Sequence, residues 1–204
     1  PLQEELKKID AISNPKELLA EIAHLHTIGC SPLFSFWVNR DDKISSKYAC
    51  FIGQGGLGLP DRDYYFNTDE RTDNIRREYA HHIEKMFNAF GAVGYEGHKN
   101  SKAVMQLETA LAKASRKLED LRDPYKNYNK MSIAGANSLA HIGDWNEILN
   151  NLGIKNIDTV IVSQPEFIKS FDDLFLKTKP DEWKAYLKWN LVNTYASYLS
   201  KPFD

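Results

Sequence analysis

The chain is dominated by apolar residues recurring at helical spacing, and that periodicity constrains its fold more than any other feature. Ile75, Tyr79, Ile83, Met86, Phe87 and Phe90 lie three or four residues apart and end at Gly91. Val104, Leu107, Leu111, Ala114, Leu118 and Leu121 form a second stripe, which the spacing extends to Asp123-Pro124. Leu2, Leu6 and Ile9 mark a short first helix. Ser13-Asn14-Pro15 opens another, through Leu18, Leu19, Ile22 and Leu25 to Gly29. A capping side chain, Pro in the first turn and Gly after the last residue are the local signals that start and stop helices. Ile133 to Leu152 holds one or two helices around Trp145. Pro165 opens one carrying Phe167, Ile168, Phe171, Leu174 and Phe175. Pro180 opens the last, with Trp183, Leu187, Leu191, Tyr195 and Leu199 facing inward. Stripes of this width are the core-facing sides of amphipathic helices.

One segment breaks the period. Leu33 to Val38 and Ser46 to Ile52 are aromatic and β-branched around Asn39-Arg40-Asp41-Asp42-Lys43, a hairpin pattern. A turn centred on Asp41-Asp42 places Cys50 opposite Leu33 and Cys30 out of register, so two free, buried thiols are expected. Val160-Ile161-Val162 is too short to assign to strand or loop. The expected fold is mainly α, a multi-helix domain with one β-hairpin at about residues 33–52, and residues 1–204 form a single helical unit.

Composition excludes several classes. The formal net charge is -2 and Lys/Arg clusters are interspersed with acids, which argues against nucleic acid as a partner. No apolar run approaches the roughly 20 residues that cross a bilayer, so no membrane segment is expected. The opening Pro1-Leu2-Gln3-Glu4-Glu5 is polar and not a leader. A chain that starts on Pro and not on Met is expected to be a piece of a longer protein, and its localisation is open.

Chemistry is sparse. Gly53-Gln54-Gly55-Gly56-Leu57-Gly58 satisfies G-x-G-x-x-G, but it leaves a hairpin strand and runs into Leu59-Pro60, where a dinucleotide site needs a helix. His24 and His26 are two apart and do not share a helix face. His81 and Glu84 do, but two ligands make only an adventitious metal site. No H-E-x-x-H, G-x-S-x-G or Cys-rich zinc motif occurs. Asp61/Asp63 and Glu119/Asp120 read as turn and cap residues.

A set of motifs in order points further. Gly58-Leu59-Pro60-Asp61-Arg62-Asp63-Tyr64-Tyr65 resembles the G-L-P-x-R-D-Y-Y signature of the neprilysin-family N-terminal domain. Leu107-Glu108, Arg122-Asp123-Pro124, Tyr128-Asn129-Lys130-Met131, Val162 to Phe167 and Tyr186 to Trp189 follow that family's order downstream. The resemblance implies a zinc endopeptidase parent whose C-terminal lobe carries H-E-x-x-H, with a helical lid lobe restricting access to peptides. It places this chain in the centre of that lid. The catalytic zinc domain is absent, no catalytic or metal-binding residue lies here, and zinc belongs to the parent only. The implied partners are the parent's own catalytic domain and peptide substrates. Two cysteines and no N-x-[ST] site suit a bacterial, cell-envelope, periplasmic or secreted relative. The signature residues Gly58, Leu59, Pro60, Arg62, Asp63, Tyr64, Tyr65, Glu108, Arg122, Asp123, Pro124, Tyr128 and Asn129 are expected to be structural. Arg62 and Asp63 are expected to pair with each other or with helix ends, both tyrosine hydroxyls to be hydrogen-bonded, and Glu108 to meet Arg122 or a Tyr. Alanine at such positions is expected to lower the melting temperature. The competing readings are a stand-alone helical binding or scaffold module that has lost the protease, and a metal-responsive domain using His81 and Glu84.

Overall fold

Asn14 opens helix α2 (Pro15–Thr27) as the punctuation predicts. Its side chain accepts from the Glu17 amide at 3.0 Å, and Glu17 reaches back to the Ser13 amide at 2.8 Å. A computed structural model of the chain describes residues 2–92 and 94–198. Helix α1 (Leu2–Ala11) precedes α2, and Gly29, at φ +88°, ends α2 in the left-handed backbone that favours glycine.

Strands β1 (Phe34–Arg40) and β2 (Tyr48–Gln54) pair antiparallel, from Phe34↔Gln54 to Arg40↔Tyr48. The hairpin is present, but its register differs from the expectation: Cys50 faces Val38, not Leu33. The reason is the loop. Asp41 does not sit at the centre of a tight turn; its amide closes on the Lys47 carbonyl, and its Oδ1 accepts from the amides of Lys43 and Ile44. This moves the turn centre toward Ile44. Cys30 and Cys50 are free and buried, as expected.

The hairpin is also not alone. Strands β3 (Lys130–Ser132) and β4 (Thr159–Val162) complete a four-stranded sheet in the order β1-β2-β4-β3. β4 runs parallel to β2 through Phe51↔Ile161 and Ile52↔Val162, and β3 pairs antiparallel with β4. The apolar run Val160–Val162 resolves as a buried strand because the free edge of β2 needs a partner.

Helices α3 (Glu70–Ala89) and α4 (Tyr95–Ala114) carry the two long stripes. The second stripe ends sooner than its spacing suggests. α4 ends at Ala114 with Ser115 as its cap; Leu118 lies in the following loop and Leu121 in a 3-10 turn, 52% and 36% exposed. The physical reason is tertiary: the Gln54 side chain takes the Arg116 amide at 2.8 Å and donates to the Arg116 carbonyl at 3.2 Å, both groups that a continuing helix would use. Short helices α5 (Ile133–Asn137), α6 (Trp145–Asn151), α7 (Pro165–Lys169) and α8 (Phe171–Lys177) follow, with Gly153 at φ +82° after α6. The helix expected from Pro165 breaks at Ser170, whose hydroxyl donates to the Phe167 carbonyl. Helix α9 (Pro180–Tyr195) buries Trp183, Tyr186, Leu187, Trp189 and Leu191. Leu199, expected on its inner face, lies outside the described residues.

Candidate functional site

The segment leaving β2 is forced against its surroundings. A Cβ on Gly55 would sit 2.6 Å from the Ser35 amide nitrogen, and one on Gly58 would overlap the Tyr79 hydroxyl. Gly56 has φ +76° and a Cβ there would meet Tyr186 and Leu33. The Tyr186 hydroxyl accepts from the Leu33 amide at 2.9 Å and donates to the Gly56 carbonyl at 2.8 Å, tying the loop to α9.

Under this loop lies Glu108, a helix residue only 1% exposed. Tyr65 donates to its Oε2 at 2.6 Å and Tyr79 to its Oε1 at 2.9 Å. Tyr65 in turn accepts from the Leu59 amide at 3.1 Å, and Tyr79 accepts from the Trp189 indole N–H at 2.9 Å. One carboxyl thereby joins the Gly-Leu-Pro loop, the 3-10 turn Arg62–Tyr65, α3, α4 and α9. Burial pushes Glu108 up to about 7, while the tyrosine hydrogen bonds act downward. Burial and the adjacent carboxyl push both tyrosines well above the usual phenol range. Enclosed by satisfied donors, Glu108 has no open side from which to reach a substrate.

The other signature residues sort by position. Leu59 is buried with Tyr65 and Ala112, while Pro60 is exposed. Asp61, not Arg62 or Asp63, caps the 3-10 turn, accepting from the Asp63 amide at 2.8 Å. The Arg62–Asp63 pair is not formed: the Arg62 guanidinium lies 5.5 Å from the centre of the Phe66 ring. Tyr64 packs beside Leu59 and Tyr65; its hydroxyl has no hydrogen-bond partner among the described residues, and its carbonyl accepts from Arg76 at 2.8 Å. Glu108 meets the two tyrosines and not Arg122, which ends a separate 3-10 turn (Asp120–Arg122).

Asp123 with Pro124 forms the next turn, its Oδ1 accepting from the amides of Tyr125 and Lys126 at 2.9 and 3.2 Å. Asn129 donates to the Lys126 carbonyl at 3.0 Å. Tyr128 donates to Asp41 Oδ1 at 2.8 Å, and Lys130 Nζ lies 2.7 Å from Asp41 Oδ2. The Lys130 hydrogen bond holds the Asp41 carboxyl, 1% exposed, well below the usual carboxylate range, although burial opposes it.

A further network was not legible as such. Gln164 Oε1 accepts from the Gln54 amide at 2.8 Å, and its Nε2 donates to Asn127 at 2.6 Å. Arg116 reaches Glu166, Asn127 and the Lys126 carbonyl. Gln54, Gln164 and Glu166 stand in the quoted motifs, so their presence was readable but their convergence was not. Tyr79, the second hydroxyl on Glu108, was visible only as one apolar position in a helical stripe.

A groove of about 660 Å³ runs between α4, α8 and α9 and is lined by Leu107, Lys113, Asp173 and Lys177 among others, with Lys177 paired to Asp173 at 2.7 Å. Of its other polar residues, the Ser170 hydroxyl donates to the Phe167 carbonyl and the Glu182 carboxylate accepts from the Lys179 amide. His81 and Glu84 line a shallow groove with His98, whose Nδ1 lies 3.2 Å from Glu84, but these residues do not converge as three ligands. The sequence contains no H-E-x-x-H, the motif whose histidines bind zinc in metallopeptidases of this kind.

Known proteins match the chain over most of its length. Neprilysin-3 of Drosophila melanogaster is 31% identical over 182 residues, covering 84% of this chain and 23% of its own. Endothelin-converting enzyme 1 of Cavia porcellus is 30% identical over 191 residues, covering 89% of this chain and 24% of its own. The zinc metalloprotease Zmp1 of Mycobacterium tuberculosis, in its open state, superposes with a TM-score of 0.91 at 28% identity, over 100% of this chain and 32% of Zmp1. The chain thus spans about a quarter of the length of the curated relatives it matches. The N-terminal model of peptidase family M13 matches residues 1–204, so the chain belongs to peptidase family M13, in its N-terminal region.

Proposed function

We propose that this chain is the central part of the lid domain of a zinc metalloendopeptidase: a single helical unit, itself without catalytic residues, that encloses the parent's active-site cavity and restricts substrates to peptides. Its partner is the parent's own catalytic domain, which supplies the zinc. The parent acts in the cell envelope, the periplasm or outside the cell. The observation that carries this reading is a family match over all 204 residues of a sequence that contains no H-E-x-x-H. A positioning part fits the buried signature residues, since Tyr65 and Glu108 wire a loop to three helices. No helix among the described residues is long and apolar enough to cross a membrane.

The test is made on the full reading frame and on this chain side by side. The full protein is expected to cleave short peptides and spare folded proteins, with turnover abolished by a chelator. The 204-residue chain with added zinc is expected to cleave nothing. Zinc-dependent turnover by the pure chain would sink the proposal. A stop codon shortly after Asp204 would replace it with the stand-alone binding module.

A further inference from the structure

Glu21 and His24 are three residues apart on α2 and share one face, and α1 brings Glu5 against that face. His24 Nε2 lies 2.7 Å from Glu5 Oε2. One ligand atom from each of Glu5, Glu21 and His24 lies within 4.8 Å of the other two, and all three side chains are partly buried. Lys8 is the cation facing the cluster, with Nζ 2.9 Å from Glu5 Oε1 and 3.4 Å from His24 Nε2. An ordinary ion-pair cluster accounts for Glu5, Lys8 and His24 but leaves out Glu21. Glu21 Oε1 is buried and has no hydrogen-bond partner among the described residues. Burial raises the Glu21 carboxyl, with nearby Glu5 acting the same way and His24 and Lys8 opposing. A buried carboxylate oxygen without a partner is costly, and a cation is the group that would satisfy it.

We propose that Glu5, Glu21 and His24 form a binding site for a zinc-like divalent transition-metal ion that clips α1 to α2. One imidazole nitrogen and two carboxylate oxygens suit such an ion better than magnesium or calcium, which favour oxygen alone. Ligands at about 2.0–2.2 Å from a tetrahedral ion stand about 3.3–3.6 Å apart, so the His24–Glu5 contact opens, Glu21 closes in, and water takes the fourth position. The Lys8 side chain, 50% exposed, swings into solvent as the metal replaces its charge. His26 takes no part: its Nε2 lies 3.1 Å from the Pro32 carbonyl and its ring stacks on Phe34.

Titrating zinc chloride into the metal-free 204-residue chain by calorimetry tests the site. One equivalent is expected to bind and raise the melting temperature, and cobalt(II) in its place is expected to give the strong visible bands of a four-coordinate ion. Glu21→Gln and His24→Ala should each weaken uptake by an order of magnitude or more. Lys8→Met should tighten it, and His81→Ala should change nothing. Glu21→Gln keeps the side chain's shape and removes its buried charge, so its metal-free melting temperature should not fall, which separates lost binding from lost folding. Less than one equivalent bound, or uptake by Glu21→Gln equal to that of the unsubstituted chain, overturns the proposal.

Discussion

Glu108 and His26 are two buried titratable groups whose linkage to folding has opposite sign. Burial raises Glu108 from 4.5 to about 7, so between those values the folded state holds a proton that the unfolded chain has released. Its contribution is complete below pH 4.5 and declines by about 3 kcal/mol as pH rises through 7. Burial lowers His26 from 6.5 to about 4, the Pro32 hydrogen bond opposing; here the unfolded chain binds the extra proton, and stability declines as pH falls from 6.5 toward 4. The two slopes oppose each other, so the unsubstituted chain should show a shallow profile from pH 4.5 to 7. In Glu108→Gln the falling part disappears, and urea unfolding should show stability rising with pH across that window; an unchanged profile would refute the assignment to Glu108. Gly58→Ala is a harsher test of the same cluster. The new methyl would displace the Tyr79 hydroxyl from Glu108, at an expected cost of about 3 kcal/mol in urea unfolding.

At the scale of elements, the sheet depends on side chains more than its length suggests. The parallel junction of β2 and β4 has only two registered residue pairs, Phe51↔Ile161 and Ile52↔Val162. Just beyond it, Gln164 satisfies the Gln54 amide and holds Asn127, so one side chain extends the ladder and anchors the loop after α4. Gln164→Ala is expected to cost about 3 kcal/mol, since it leaves a half-buried amide without its acceptor. Thermal melting reads the loss, and Gln164→Glu should recover part of it because the carboxylate can still accept from the Gln54 amide. Helices with their own start and stop signals were readable one by one: α2 from Asn14-Pro15 to Gly29, and α3 to Gly91. The end of α4 was not, because a glutamine from β2 stops it.

At the scale of the molecule, one apolar cluster includes Ile9 of α1, Ile52 of β2, Val160 of β4 and Val192 of α9. The first and last helices also meet through Lys188 and Asp10 at 2.6 Å, and the Tyr195 hydroxyl bonds the Ile28 carbonyl. Residues from both ends of the described chain therefore share one interior, and a single cooperative unfolding transition is expected, with far- and near-ultraviolet circular dichroism coinciding. Separate midpoints would divide the chain into independent units. The amino-acid order alone determined the mainly helical class, the presence of a hairpin and the family, because helical periodicity, capping residues and ordered motifs are carried by neighbouring positions. Tertiary structure decided the hairpin register, the joining of β3 and β4 to it, the partners of Glu108 and the meeting of Glu5 with Glu21 and His24. Those outcomes depend on groups as far apart as Gln54 and Gln164, 110 residues along the chain, and no local pattern encodes which of many compatible side chains a buried polar group will meet.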